Sequence, residues 1–139
     1  MSENTNTKKV EDLYIFEGFS KEVVAYFLLM SQVQFRKKGE IIMTQGDKST
    51  GCAYYINSGK VRILIDGKVV ATLEKGSFFG AMALITDEPR SATVEVVEDA
   101  ELQVFLKDEF LTLLTQSPNS DVLKAEIRKR IVEDSQIGK

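Results

Sequence analysis

Apolar residues follow two different spacings along the chain, and the spacing predicts where helices give way to strands. Between Phe19 and Val33 they recur every three or four positions, which is the period of one helical face. Ser20 stands at the start of this run, where an N-cap residue is expected. The pattern therefore predicts a helix over 19–33, with an apolar stripe made of Val23, Val24, Phe27, Leu28 and Met30.

From Glu40 to Phe105 the pattern changes to short runs of β-branched and aromatic residues interrupted by glycine. Such runs are typical of antiparallel strands, and the Asp66-Gly67 pair is a strong hairpin-turn signal. The middle of the chain is therefore predicted to be mainly β. Its candidate strands are Ile41–Gln45, Cys52–Asn57, Lys60–Ile65, Val69–Leu73, Ser91–Val97 and Glu101–Leu106.

Helical spacing returns towards the C-terminus. Lys107–Thr115 predicts a short helix that Pro118 ends, and Asn119 or Ser120 is a suitable N-cap for a last helix over 121–134. The apolar face of that last helix consists of Val122, Leu123, Ile127 and Ile131. We expect a flexible tail over 1–12 and one domain over 13–139, with its β part at 38–106 and its C-terminal helices at 107–136.

Composition excludes several classes of function. The formal net charge of −3 and the pI near 5.1 lack the basic excess of a nucleic-acid-binding protein. No apolar run is long enough to cross a bilayer, and the first residues do not form a secretory signal. We therefore expect a cytoplasmic chain without direct nucleic acid or membrane contacts. Its single cysteine, Cys52, is expected to be a packed thiol.

The chain contains no histidine. This removes the commonest general base and the commonest metal ligand from the side chains available. Jelly-roll enzymes that hold a metal cannot assemble their usual cluster without it. We therefore predict a non-catalytic protein with no metal site and no cofactor.

The segment from Gly76 to Thr93 carries the candidate chemistry. Gly80 permits a tight bend, and Ala81–Leu84 can form one helical turn whose leading amides are anion donors. Arg90 follows a proline at the start of a strand, and its planar guanidinium suits a phosphate diester. From these residues alone, a phosphate site and an ordinary surface arginine both remain open.

The longer run FGAMALITDEPRSAT, at 79–93, resembles the phosphate-binding cassette of cyclic nucleotide-binding domains. That cassette has the form Phe-Gly-Glu-hydrophobic-Ala-Leu, a short turn, and Pro-Arg-small-Ala-Thr. The resemblance covers 15–110, because IFEGFS at 15–20, KGEII at 38–42, QGD at 45–47 and YYINSGKV at 54–61 also fit the family. It implies the fold of catabolite activators and protein kinase A regulatory subunits, an eight-stranded jelly roll (double-stranded β-helix) with a helix before it and helices after it.

The resemblance also implies a ligand site. Arg90 would contact the cyclic phosphate, and the surrounding turn would be formed by Gly80, Ala81, Met82, Ala83, Ser91 and Ala92. The family usually has glutamate where this chain has Ala81, and that carboxylate accepts a hydrogen bond from the ribose 2′-hydroxyl. Its loss lowers affinity by roughly tenfold to 150-fold, for a bond of about 1.5 to 3 kcal/mol, unless another group replaces it.

For the base, the apolar candidates are Val61, Ile63 and Leu73 in the roll and Leu123, Ile127 and Ile131 in the last helix. Ordinary core packing is the alternative explanation for each of these six, and it stays open. Only Arg90 has a chemical role that packing would not explain.

The resemblance predicts a sensor and regulatory module for signal transduction. It would bind a cyclic nucleotide, cAMP in preference to cGMP, or another small anionic effector, and would signal by movement of its C-terminal helix. The alternative is a degenerate fold that has lost nucleotide binding and serves as an interaction or dimerisation module. In either case a homodimer or a regulatory protein partner would use the C-terminal helix.

Overall fold

Six antiparallel strands and three α-helices make up the part of the chain that the computed structural model describes, residues 10–116 and 120–135. The predictions for Pro118, for Asn119 and for residues 1–9 of the tail lie outside the described residues. The strands are β1 Gln32–Arg36, β2 Ile41–Met43, β3 Cys52–Ile65, β4 Lys68–Glu74, β5 Phe78–Phe79 and β6 Thr93–Leu106. The helices are α1 Lys21–Met30, α2 Lys107–Thr115 and α3 Ser120–Ser135, with 3-10 turns at Val10–Asp12, Tyr14–Phe16 and Ala81–Leu84.

The two longest strands form the centre of the sheet. Its order is β1-β6-β3-β4, with β2 also paired to β6 and β5 to β3. β3 and β6 pair from Cys52 opposite Leu106 to Leu64 opposite Thr93. The hairpin between β3 and β4 turns at Asp66 and Gly67, both with positive φ, so this turn prediction is confirmed. The mainly antiparallel β fold with flanking helices is confirmed as well.

The strand count differs from the eight that the resemblance implies. The strands predicted over 52–57 and 60–65 form one continuous strand, β3. The strands predicted over 91–97 and 101–106 likewise form one strand, β6. The β3–β6 register shifts on either side of Gly59 in β3, where a Cβ would lie 2.4 Å from the carbonyl oxygen of Asp99. Glycine therefore allows a bulge here instead of a chain break. In addition, the strand predicted from Ser91 begins only at Thr93.

The predicted helix over 19–33 is too long at its C-terminal end. Helix α1 stops at Met30, because Ser31 is extended and donates its hydroxyl to the carbonyl oxygen of Leu28 at 2.6 Å. Val33 belongs to β1, which pairs with β6. Helix α1 buries Val24 and Phe27. Several large apolar side chains of α1 and β1 remain exposed: Val23, Tyr26, Leu29, Met30, Val33 and Phe35.

The N-cap of α1 gives a measurable stability contribution. The Ser20 hydroxyl accepts a hydrogen bond from the amide of Val23 at 3.2 Å. Ser20→Ala is expected to lower the free energy of unfolding by about 1 kcal/mol, because one helix-terminal amide loses its acceptor. Urea denaturation measures this, with Ser20→Asp as the matched control that keeps an acceptor. Equal stability of both variants and the wild type would contradict the prediction.

The helices close one end of the sheet over an aromatic core. Phe16, Phe27 and Phe105 pack with ring centroids 5.5 to 5.8 Å apart. Helix α3 docks on this core through Ile127 and Ile131, which are 2% and 0% exposed. Within the described ranges, none of the helices combines the length and the apolar character that a bilayer-spanning segment needs.

Candidate functional site

A cavity of about 460 Å³ opens between the sheet and the segment that follows β5. Its polar end is formed by the bend at Gly80 and by Glu88, Arg90 and Ser91. Its apolar walls include residues of β2, β3, β4 and α3, namely Met43, Ile63, Ile65, Val70, Ala71, Leu73 and Val132. A cavity of this size, apolar with a few convergent polar groups, is typical of a small-ligand site.

The bend at Gly80 exists because glycine tolerates its backbone conformation. Gly80 has φ 76° and ψ 18°, in the left-handed region, and begins the 3-10 turn at Ala81–Leu84. This confirms the single helical turn predicted from the sequence. A Cβ at Gly80 would lie 3.4 Å from Nη1 of Arg90 and 3.3 Å from Cε of Met43. A side chain here would strain the backbone and crowd both neighbours, so glycine suits this close approach of the guanidinium to the turn.

Arg90 is held from two sides. Its amide donates to the carbonyl oxygen of Asp47 at 2.8 Å, and its own carbonyl accepts from the amide of Gly46 at the same distance. Its Nη2 donates to Oγ1 of Thr50 at 3.2 Å and to the carbonyl oxygen of Cys52 at 3.0 Å. The side chain points inward and is 8% exposed, so it is not an ordinary surface arginine.

The charge of Arg90 is buried without a carboxylate beside it. Among the described residues it is the one buried charged side chain, and no carboxylate oxygen there lies within 4.0 Å of its nitrogens. Burial lowers the pKa of Arg90, yet an arginine remains protonated at neutral pH. A buried cation with only neutral oxygen partners favours an anion in the adjoining cavity.

Tyr54 supports this end of the cavity. Its ring stacks on Phe79 with centroids 5.1 Å apart, which ties β3 to the residue that precedes Gly80. Burial raises the pKa of Tyr54, with a smaller contribution from Cys52, and the nearby Arg90 charge partly offsets the increase. The phenol therefore stays neutral at pH 7. Cys52 itself is half-buried, in keeping with a packed thiol.

The structure brings most of the predicted site residues together. The lining of the cavity includes every member of the predicted phosphate turn, together with two of the predicted base contacts: Gly80, Ala81, Met82, Ala83, Arg90, Ser91, Ala92, Ile63 and Leu73. Val61 does not line it, because it is 0% exposed inside the sheet core. Leu123, Ile127 and Ile131 do not line it either, since they pack against the aromatic core.

Sequence reasoning missed several residues of the site, and three of them bear on its chemistry or its response. Thr50 contacts Arg90 from a loop 40 positions away in sequence, which no local pattern reveals. Glu88 also lines the cavity, although its place in a polar turn gave it the appearance of an ordinary surface residue. Val132 is the α3 residue in the lining, one position beyond the predicted Ile131 and so about 100° further round the helix, outside the predicted apolar face.

The chain has an antiparallel β fold and an apolar cavity that ends at a glycine bend and a buried arginine. These features indicate a domain that binds a small ligand. The family model described as "Cyclic nucleotide-binding domain" matches residues 33–117. The chain belongs to this family.

Several known proteins are similar to the chain. A cAMP-dependent protein kinase regulatory subunit from Debaryomyces hansenii is 34% identical over 123 residues, covering 81% of this chain and 26% of that protein. A cGMP-dependent protein kinase from Plasmodium berghei is 31% identical, covering 94% of this chain and 16% of that protein. The chain therefore spans about a quarter or less of these two relatives. The crystal structure of the Thermus thermophilus catabolite activator protein superposes with a TM-score of 0.70 at 30% identity, over 88% of this chain and 60% of that one.

Proposed function

We propose that the chain is a non-catalytic sensor module that binds cAMP in the cavity beside Gly80. The observation that carries the proposal is the buried guanidinium of Arg90, whose Nη1 faces the glycine bend and whose contacts are neutral oxygens. The cyclic phosphate would supply the counter-charge, and the first amides of the turn at Ala81–Leu84 would add donors. Relatives named for cAMP and cGMP binding support this class of ligand.

The apolar end of the cavity favours adenine over guanine. Strands β3 and β4 and helix α3 contribute aliphatic side chains there, among them Ile63, Leu73 and Val132. Guanine brings a carbonyl, a ring N–H and an amino group, and each loses a water partner on entering such a wall. The hydroxyls in the described lining are those of Ser49 and Ser91, and neither belongs to this aliphatic wall. We therefore expect cAMP to bind more tightly than cGMP.

Helix α3 is proposed to carry the response. Val132 reaches the cavity, while the Arg128 side chain donates to the carbonyl oxygen of Ile85 at 3.5 Å, just after the phosphate turn. On the opposite side, Arg130 pairs with Glu17 and lies 5.1 Å from the ring of Tyr14. A nucleotide that fills the cavity would change the contacts of Val132 and so shift the position of the helix.

Nucleotide binding is preferred to the degenerate-fold alternative. Ala81 supports that alternative, since it cannot accept a bond from the ribose, but the inward-facing Arg90 argues for a retained anion site. The α3 face proposed for a partner or a second copy includes Ile127 and Ile131, and both are buried within the chain. A partner would have to use other residues of α3, such as Val122, which is 70% exposed.

Titration calorimetry with cAMP, cGMP and 5′-AMP tests the proposal. We expect heat for cAMP at lower concentration than for cGMP, and none for 5′-AMP, whose open dianionic phosphate does not match the cyclic diester. A thermal-shift series with the same ligands gives an independent measurement, because a ligand that binds only the folded state raises the melting temperature. No heat and no shift with either cyclic nucleotide at millimolar concentration would refute the proposed function.

A further inference from the structure

The two terminal nitrogens of Arg90 face different surroundings. Nη2 donates to Oγ1 of Thr50 at 3.2 Å and to the carbonyl oxygen of Cys52 at 3.0 Å. Nη1 lies on the other side, 3.4 Å from the position that a Cβ at Gly80 would occupy. The protein therefore uses one nitrogen to hold the guanidinium and presents the other to the cavity.

The loop that carries Thr50 is itself held in place. The amide of Gly51 donates to the hydroxyl of Ser49 at 3.1 Å, and the carbonyl of Gly51 accepts from the amide of Lys107 at 2.8 Å. Thr50 thus connects Arg90 to the junction of β6 and α2. A hydroxyl on a fixed loop restricts the rotation of the arginine side chain more than a water molecule does. The hydroxyl is already ordered before the ligand binds, so no further conformational entropy is lost to place it.

We propose that Thr50 is the positioning residue that turns Nη1 of Arg90 towards the ligand phosphate. The inference rests on the proposed function and adds a residue to its site. Thr50 contributes a neutral acceptor, so it orients the guanidinium without neutralising it, and the full positive charge remains available to the incoming anion. A carboxylate at the same place would orient the side chain but would also compete with the phosphate for its charge.

Thr50→Val and Thr50→Ser test the assignment as a matched pair. Valine keeps the shape of threonine and removes the acceptor, whereas serine keeps the acceptor. We expect Thr50→Val to lower cAMP affinity roughly two- to tenfold in calorimetry. Thr50→Ser should bind cAMP as tightly as the wild type does. In an Arg90→Ala background Thr50→Val should have no further effect, because the group that it positions is gone. An equal loss in both backgrounds would overturn the assignment.

A second measurement needs no nucleotide. Nitrogen-15 NMR of the Arg90 guanidinium, assigned with Arg90→Lys, reports how freely the Nη groups rotate. We expect restricted rotation in the wild type and in Thr50→Ser, and fast rotation in Thr50→Val. Fast rotation in the wild type overturns the inference on its own. If the wild type bound no cyclic nucleotide but showed restricted rotation that Thr50→Val released, the proposed function would fail and the positioning role would stand.

Discussion

Arg90→Ala is expected to weaken cAMP binding by about 2 to 5 kcal/mol, which is roughly 30-fold to 5000-fold in affinity. The expected loss is large because Arg90 is 8% exposed and meets the ligand away from competing water. Its removal would leave the cyclic phosphate without a cationic partner at that end of the cavity. Calorimetry gives the affinity, and the melting temperature of the ligand-free variant shows whether the fold is intact.

Two further variants isolate the guanidinium. Arg90→Lys keeps the charge but loses the planar fork, so we expect an affinity between those of the wild type and the alanine variant. Arg62→Ala removes an arginine of the same sheet that pairs with Glu95 at 2.7 Å and does not line the cavity. This control should bind as the wild type does. Wild-type affinity in Arg90→Ala, or an equal loss in Arg62→Ala, would contradict the site.

Ala81→Glu is expected to raise affinity for cAMP by roughly tenfold to 150-fold, equivalent to about 1.5 to 3 kcal/mol. Ala81 is the first residue of the 3-10 turn, lines the cavity and is 4% exposed, and we expect a glutamate there to direct its carboxylate towards the ligand. The new acceptor would bond the ribose 2′-hydroxyl. Affinities for cAMP and 2′-deoxy-cAMP, measured by competition against a fluorescent cyclic nucleotide, provide the comparison.

The 2′-deoxy ligand distinguishes a hydrogen bond to the ribose 2′-hydroxyl from a general change in affinity. Because Ala81 has no acceptor, the wild type should bind the two ligands about equally, and Ala81→Glu should improve binding of cAMP alone. Ala81→Gln is the size-matched control and should give a smaller gain, since its acceptor is uncharged. Strong wild-type preference for cAMP over 2′-deoxy-cAMP would mean that another group, such as Glu88 at the same cavity, already takes the ribose hydroxyl.

Local chemistry was predictable from the sequence where neighbours along the chain decide it. The Asp66-Gly67 turn, the helix over 107–115 and the single turn after Gly80 all depend on residues within a few positions, and each is found as predicted. The end of α1 is different, because strand β1 forms only by pairing with β6, some 70 residues on. Helical periodicity continued through Val33 and concealed the strand.

The residues of the site divide in the same way, into those that a local motif predicts and those that only tertiary packing brings together. The cassette itself is contiguous, so its residues could be named from one stretch of sequence. Thr50 reaches Arg90 and Val132 reaches the cavity through tertiary packing, and no motif includes them. On α3, three of the four residues of the predicted apolar face pack in the core, Leu123, Ile127 and Ile131, whereas Val122 is exposed. Ile127 and Ile131 belong to the same buried cluster as Phe110, whereas Val132 lines the cavity.

The pairing of the first strand with the last has a consequence for biosynthesis. Val33 in β1 is registered against Gln103 in β6, so at about 5 to 20 residues per second its partner follows several seconds later on the ribosome. During that interval the backbone amides and carbonyls of β1 have no sheet partner. Nascent chains that stall between β5 and β6 would therefore expose an unpaired strand edge, at which β pairing with another chain can begin.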